Sequence, residues 1–132
     1  HAGMVGLDGE KMSKSKGNLV FVSTLVAEGR DPMAIRWALM RDHYRADRMW
    51  TDELLVSAEY ELAALRSVLT QVNVAPTQEL IEKIIAALAD DLDTVTITSA
   101  INEWVHKTQS GESGGDAQSL VAALDALLGV GL

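Results

Sequence analysis

From Thr51 onward the apolar residues return every three or four positions, the spacing of helices with one face turned inward. Leu54, Leu55, Ala58, Leu62, Leu65, Leu69 and Val72 trace such a stripe behind a Thr51 cap, with Asp52 and Glu53 in the first turn where the helix dipole favours carboxylates. Asn73 to Pro76 break the stripe. Thr77 can cap a second helix that has Leu80, Ile81, Ile84, Ile85 and Leu88 on one side. Residues 93–107 carry a mixed signal. Thr94-Val95-Thr96-Ile97-Thr98 alternates as a strand does, whereas Ile97, Ala100, Ile101, Trp104 and Val105 restore the helical period, and the segment reads as helix with Asp93 as its cap. Thr108 to Gly115 is a Gly/Ser loop. Asp116 caps a last helix on Leu120, Val121, Leu124, Leu127 and Leu128, released at Gly129.

The first fifty residues read differently. Residues 1–12 form two short strands around an Asp8-Gly9 turn, with Met4, Val5 and Leu7 apolar on the way in. An apolar run, Leu19 to Val22, leads to Ser23, which can cap one or two helical turns closed by Gly29. Asp31-Pro32 is a strong helix start, a cap followed by a first-turn proline. That helix turns Ile35, Ala38, Leu39 and Met40 inward and Arg36, Arg41 and Asp42 outward. The predicted fold is mainly α: an antiparallel helical bundle preceded by a short β-hairpin. No internal repeat is visible.

Between hairpin and helices lies Asp8-Gly9-Glu10-Lys11-Met12-Ser13-Lys14-Ser15-Lys16-Gly17-Asn18. It places Lys11 and Lys14 three residues apart on a short loop of small residues, able to bring backbone N–H groups and point charges to one polyanion. Lysine suits this because a compact ammonium on a flexible stem can follow a phosphate as it moves. A bare K-x-x-K pair would read as a solvated turn. The full string is more specific, and resembles the KMSKS signature of class I aminoacyl-tRNA synthetases, the mobile loop that closes on ATP. His1-Ala2-Gly3-Met4-Val5 resembles the strand entering this loop in cysteinyl-tRNA synthetases, and Asp31 to Arg36 with His43-Tyr44-Arg45 resembles the helix after it. Gly17 to Ser23, His43 to Asp52 and Asp90 to Thr94 are more similar to the cysteine ligases of mycothiol biosynthesis, relatives that join cysteine to glucosaminyl-inositol in place of tRNA.

The resemblance implies the following expectations. Lys11 and Lys14 are the catalytic lysines, and Lys11, Met12, Ser13, Lys14 and Ser15 bind ATP, with Met12 anchoring the loop on the fold. Residues 1–22 close a Rossmann-type catalytic domain, 23–50 form a connecting helical segment, and 51–132 are the C-terminal bundle. The family's other ATP signature, His-x-Gly-His, is missing, because His1-Ala2-Gly3-Met4 lacks the second histidine. The chain is therefore expected to be a C-terminal fragment with one lip of an active site, inactive alone and completed by an N-terminal catalytic body. Its substrates would be ATP, cysteine and glucosaminyl-inositol. The zinc site that these enzymes build on cysteines cannot lie here, since the chain has no cysteine.

Charge separates the two relatives. Residues 1–50 hold eight Lys and Arg against six Asp and Glu, a net of +2, while residues 51–132 hold three against thirteen, a net of −10. A surface that grips tRNA needs cations to neutralise phosphates, so an acidic bundle argues against an anticodon-binding domain and no tRNA partner is expected. With no apolar run long enough to span a membrane and no signal peptide, a cytoplasmic protein with no membrane partner is expected. His1, His43 and His106 are far apart in sequence without a ligand at metal spacing, and no metal site is expected. His43 with Tyr44 and Arg45 orders a helix end, Asp90-Asp91-x-Asp93 marks a helix junction, Trp37, Trp50 and Trp104 anchor the core, and Lys16 is a solvated charge. Two other readings stay open: a cysteinyl-tRNA synthetase fragment, and a non-catalytic helical interaction module.

Overall fold

The computed structural model describes all residues, His1–Leu132. Three short strands, β1 (Val5–Leu7), β2 (Glu10–Lys11) and β3 (Arg48–Trp50), stand beside six helices: α1 (Val22–Ala27), α2 (Pro32–Met40), α3 (Asp52–Leu69), α4 (Gln78–Ala89), α5 (Thr94–Gln109) and α6 (Ala117–Leu128). The protein is mainly helical, with the predicted hairpin at its start. Asp8 (φ 52°) and Gly9 (φ 81°) both sit in the left-handed region. A two-residue turn of this hand matches the twist of the flanking strands, which is why Asp-Gly serves there.

The sheet contains a strand that the sequence pattern did not predict. Its order is β2-β1-β3, and β3 runs parallel to β1 with Val5 opposite Arg48 and Leu7 opposite Trp50. Parallel neighbours require a long crossover, here the loop, α1 and α2. At three residues β3 is too short to show periodicity. His43-Tyr44-Arg45 likewise falls after α2, which ends at Met40, in the turn leading to β3 and not in a helix.

Asp31 caps α2 as predicted, accepting from the Met33 N–H at 2.8 Å, and also pairs with Arg66 of α3 at 2.5 Å. Beside it Arg30 grips Glu59 through two bonds, at 2.7 and 3.0 Å, and the Trp37 indole N–H donates to Glu61 at 2.8 Å. Polar contacts thus fix α2 against α3 while Ala34, Ile35, Trp37 and Ala38 are buried between the helices. Leu39, predicted to face inward, is half exposed.

The core runs through Leu55, Leu62, Leu65, Ile84, Ile97, Ile101, Leu120 and Leu124, all fully buried. α5 begins at Thr94 and is helical throughout, as expected. Five β-branched residues cost a helix roughly 0.5 kcal/mol each relative to alanine. Burying Ile97, Ile101 and Trp104 returns about 1.5–3 kcal/mol apiece, so tertiary packing overrides the local strand preference. Asp93 supplies the cap through the Thr96 N–H at 3.1 Å and hydroxyl at 2.5 Å. The Trp104 N–H donates to the carbonyls of Ala75 and Pro76, pinning the α3–α4 connection on α5. With Trp37 and Trp50, it is a core residue.

Several details depart from the sequence expectations. α1 starts at Val22 with Phe21 in the cap position, because the extended run ends there and Ser23 falls inside the first turn. Thr77 precedes α4 but its hydroxyl makes no capping bond, since its backbone is already helical (φ −104°, ψ −20°) where side-chain caps are typically extended. Val72 is 95% exposed because α3 ends three residues earlier, and Val68 takes its place in the core. Ile85 and Leu127 lie at the solvent edge of their stripes.

Asp31→Ala should destabilise the protein by about 1 kcal/mol for the lost cap. Asp31→Asn, which keeps the cap and weakens the Arg66 pair, should cost less. Chemical denaturation of the two variants measures the difference.

Five carboxylates are held below their ordinary pKa. Burial raises Asp31, but the bonds from Arg66 and the Met33 N–H outweigh it. Arg30 lowers Glu59, Tyr44 and Arg45 lower Asp91, and Thr96 and Ser119 lower Asp93 and Asp116. A depressed carboxylate stabilises the fold above its unfolded pKa and loses that contribution as pH falls through the folded value. The thermal midpoint should therefore be set fully above about pH 5 and drop below the unfolded carboxylate range near pH ~4. A scan from pH 6 to 3 checks this.

Candidate functional site

The Lys11–Ser15 stretch leaves the sheet at the end of β2 and turns back through Gly17. Asn18 braces it. Its side-chain oxygen accepts from the Ser13 N–H at 2.9 Å, and its amide nitrogen donates to the Lys11 carbonyl at 3.2 Å. The Ser13 hydroxyl accepts from the Lys16 N–H at 3.3 Å and lies 3.3 Å from the Ser15 hydroxyl, while the Gly17 N–H donates to the Lys14 carbonyl. Met12 is partly buried and packs on the hydrophobic core, tethering the loop from below. Asn18 is the bracing residue that the motif reading passed over. Its signal was present: an Asx side chain next to a turn glycine satisfies local backbone.

The three loop lysines are not equivalent. Lys16, expected to be a free solvated charge, pairs with Glu10 across the loop at 3.2 Å. Lys11 and Lys14 are exposed and neither has an acidic partner within ion-pair distance. Glu10, the one carboxylate paired on the loop, is thus turned to Lys16, and the ammonium groups of Lys11 and Lys14 stay available to an incoming anion. Such an exposed pair contributes little stability, so its consequence lies in charge placement.

The charge around the loop is uneven. On one side an open groove is lined by Leu7, Leu19 and Phe21 together with Asp8, Glu28, Asp52 and Glu53. Its carboxylates repel a polyphosphate. On the other side Lys11, Arg48 and Asp47 line a shallow pocket with Met4, Gly6 and Met49, two cations against one carboxylate. The helical surface is acidic: Glu79, Glu82, Asp90, Glu103, Glu112 and Asp125 are exposed, and Lys107 is paired with Glu103.

The remaining candidates have structural roles. No group of three His, Asp or Glu side chains converges as a metal site. His43, Tyr44 and Arg45 meet Asp91 at the α4–α5 turn, while Asp93 caps α5. No helix is long and apolar enough to cross a membrane.

The site is thus an exposed lysine loop at a strand end, followed by a helical crossover. Over residues 1–60 the chain matches the family described as tRNA synthetases class I (C) catalytic domain. Along its whole length it is similar to proteins named L-cysteine:1D-myo-inositol 2-amino-2-deoxy-alpha-D-glucopyranoside ligase. It is 49% identical to that of Nakamurella multipartita, 51% to that of Streptomyces griseus and 52% to that of Streptomyces coelicolor, covering 100% of this chain and 31%, 33% and 33% of the relatives. The chain spans about a third of the length of the curated relatives it matches.

Asn18→Ala should remove both braces at once. Amide exchange at Ser13 should accelerate while the global unfolding free energy changes by less than ~0.5 kcal/mol, the usual range for a surface change. Hydrogen exchange followed residue by residue measures both.

Proposed function

We propose that this chain is the C-terminal part of a cytoplasmic ATP-dependent ligase that activates cysteine as an adenylate and joins it to the amine of glucosaminyl-inositol, releasing AMP and pyrophosphate. The observation that carries the reading is whole-chain identity near 50% to ligases named for those substrates, joined to a loop with two unpaired ammonium groups. In this account residues 1–22 end the catalytic domain, 23–50 connect it, and 51–132 form the bundle.

The chemistry assigned to the loop is electrostatic. ATP, when bound, supplies the electrophilic α-phosphorus and the pyrophosphate leaving group. Lys14 is proposed to meet the charge that builds on the departing phosphates, with Lys11 beside it. Ser13 and Ser15 offer hydroxyls, the Lys14 and Ser15 N–H groups are free of partners within the protein, and Met12 holds the base. A fixed cation acts most strongly where charge develops, and the protein does little covalent work in such a transfer. A zinc ion holding the substrate thiol would take its ligands from outside this chain, which has no cysteine and no cluster of other ligands. One lip of a site should not catalyse alone, so the isolated chain is predicted to be inactive.

The acceptor assignment rests on electrostatics as well as on the relatives. A bundle with exposed carboxylates on α4, α5 and α6 would repel the sugar-phosphate backbone of tRNA, whereas a pseudodisaccharide carrying an amine meets no such barrier.

In the full-length protein, Lys14→Ala should slow adenylate formation by ~100- to 1,000-fold, or on the order of 3–4 kcal/mol of transition-state stabilisation. ATP affinity should change much less. Lys14→Arg should rescue only in part, since a planar fork cannot follow a moving phosphate as an ammonium does. Cysteine-dependent pyrophosphate exchange with ATP tests the activation step, and single-turnover measurement at saturating ATP tests the lysine. A protein with no cysteine-dependent exchange would sink the ligase reading. An Ala variant that reacts at the wild-type rate would reduce Lys14 to a binding charge.

A further inference from the structure

Three consecutive side chains converge on one residue of a distant turn. The Tyr44 hydroxyl donates to Asp91 Oδ1 at 2.6 Å, Arg45 Nε reaches Asp91 Oδ2 at 2.8 Å, and His43 Nε2 meets the Asp91 carbonyl at 2.9 Å. The Arg45 N–H donates to His43 Nδ1 at 3.2 Å, so the neutral ring carries its proton on Nε2 and donates it to that carbonyl. The receiving turn is itself unusual: Asp91 (φ 52°) and Leu92 (φ 54°) both occupy the left-handed region without being glycine. Leucine pays for that conformation, which persists only where the surroundings over-determine it. The bonds on Asp91 supply such a constraint.

The other side of the same tripeptide is tied to the strand that begins the nucleotide loop. The Tyr44 carbonyl accepts from the Gly3 N–H at 2.7 Å, and Asp47 Oδ1 accepts from the Met4 N–H at 2.7 Å. Arg48 Nη1 donates to the carbonyls of His43 and Ala46, closing the turn on β3. A side chain on Gly3 would run into the Ala46 carbonyl, so the strand has no room to shift there. β1 then pairs with β2, placing Gly6 opposite Lys11. Asp91 is thereby joined to the first loop lysine through hydrogen bonds linked by short stretches of backbone, with the bundle at one end and the loop at the other.

We propose that Asp91, clasped by His43, Tyr44 and Arg45, is a positioning residue that registers the helical bundle against β1 and so sets where Lys11 and Lys14 stand. The inference rests on the ligase reading only for its kinetic consequence; the mechanical link stands apart from it. A pair this exposed contributes little to global stability, with Asp91 and Arg45 side chains about half accessible to solvent. Placement is the more sensitive quantity, because a displacement of ~1 Å in a catalytic group can cost up to about a hundredfold in rate.

The test uses Tyr44→Phe, which keeps the ring and deletes only the hydroxyl, and Asp91→Asn, which tolerates the left-handed backbone and still accepts one bond. Ile101→Val, a small loss in the buried α5 core, is the control for stability alone. In the full-length protein, amide exchange at residues 4–11 should accelerate in Tyr44→Phe while α6 is unchanged. The kcat for cysteine-dependent pyrophosphate exchange should fall about tenfold with the KM for ATP nearly constant, and Asp91→Asn should fall less. Ile101→Val should lower the thermal midpoint and leave kcat alone. Faster exchange confined to residues 88–94, with 4–11 unchanged, overturns the proposal whether or not the protein has ligase activity. An unchanged kcat in Tyr44→Phe, alongside an active wild type, overturns its kinetic consequence and leaves the ligase reading intact.

Discussion

Most of this structure depends on the parallel pairing of β1 with β3. It is only three residues long, yet it joins the strand that opens the lysine loop to the strand that runs into the Thr51 cap of α3. Everything between the two must cross over, and the crossover carries α1 and α2. α2 then packs on α3 through Ala34, Trp37 and Ala38, with Asp31–Arg66 and Arg30–Glu59 fixing its angle. The loop is therefore not an appendage of the bundle. Its base, the crossover and the first bundle helix are one mechanical piece.

Charge placement follows from the same geometry. The turn of the loop brings Lys16 back beside Glu10, and Lys11 and Lys14 are left without an acidic partner within ion-pair distance. Carboxylates from Asp8, Glu28, Asp52 and Glu53 gather on the opposite wall. Carboxylates thus dominate that groove and the exposed surface of the helices, while the two lysines without an ion-pair partner stand on the loop itself. The proposed choice of a small amine over a nucleic acid is the functional form of that asymmetry.

Much of this was legible in the sequence, and the exceptions share causes. Asp31, Asp93 and Asp116 were recognisable as caps because an Asx side chain before an apolar period has few other uses, and each makes the bond expected of it. The 94–98 segment was ambiguous because β-branched residues prefer strands locally, and only the burial of Ile97 and Ile101 decides the matter. β3 was invisible: three residues carry no period, and its partner lies more than forty positions away. The bonds on Asp91 were hidden for the same reason, since nothing local links residue 44 to residue 91. On the loop, the motif marked the lysines but not their inequality. That inequality depends on how the loop turns back over residues 13–17, which brings Lys16 alone within reach of Glu10.

The ligase account is tested most directly by acceptor choice. The full-length protein would be given radiolabelled cysteine and ATP together with glucosaminyl-inositol, tRNA or both, and the labelled product identified. The account predicts label in the cysteinyl amide of the pseudodisaccharide, with AMP formed in equal amount and none on tRNA even in direct competition. Label on tRNA, with the pseudodisaccharide untouched, would contradict it.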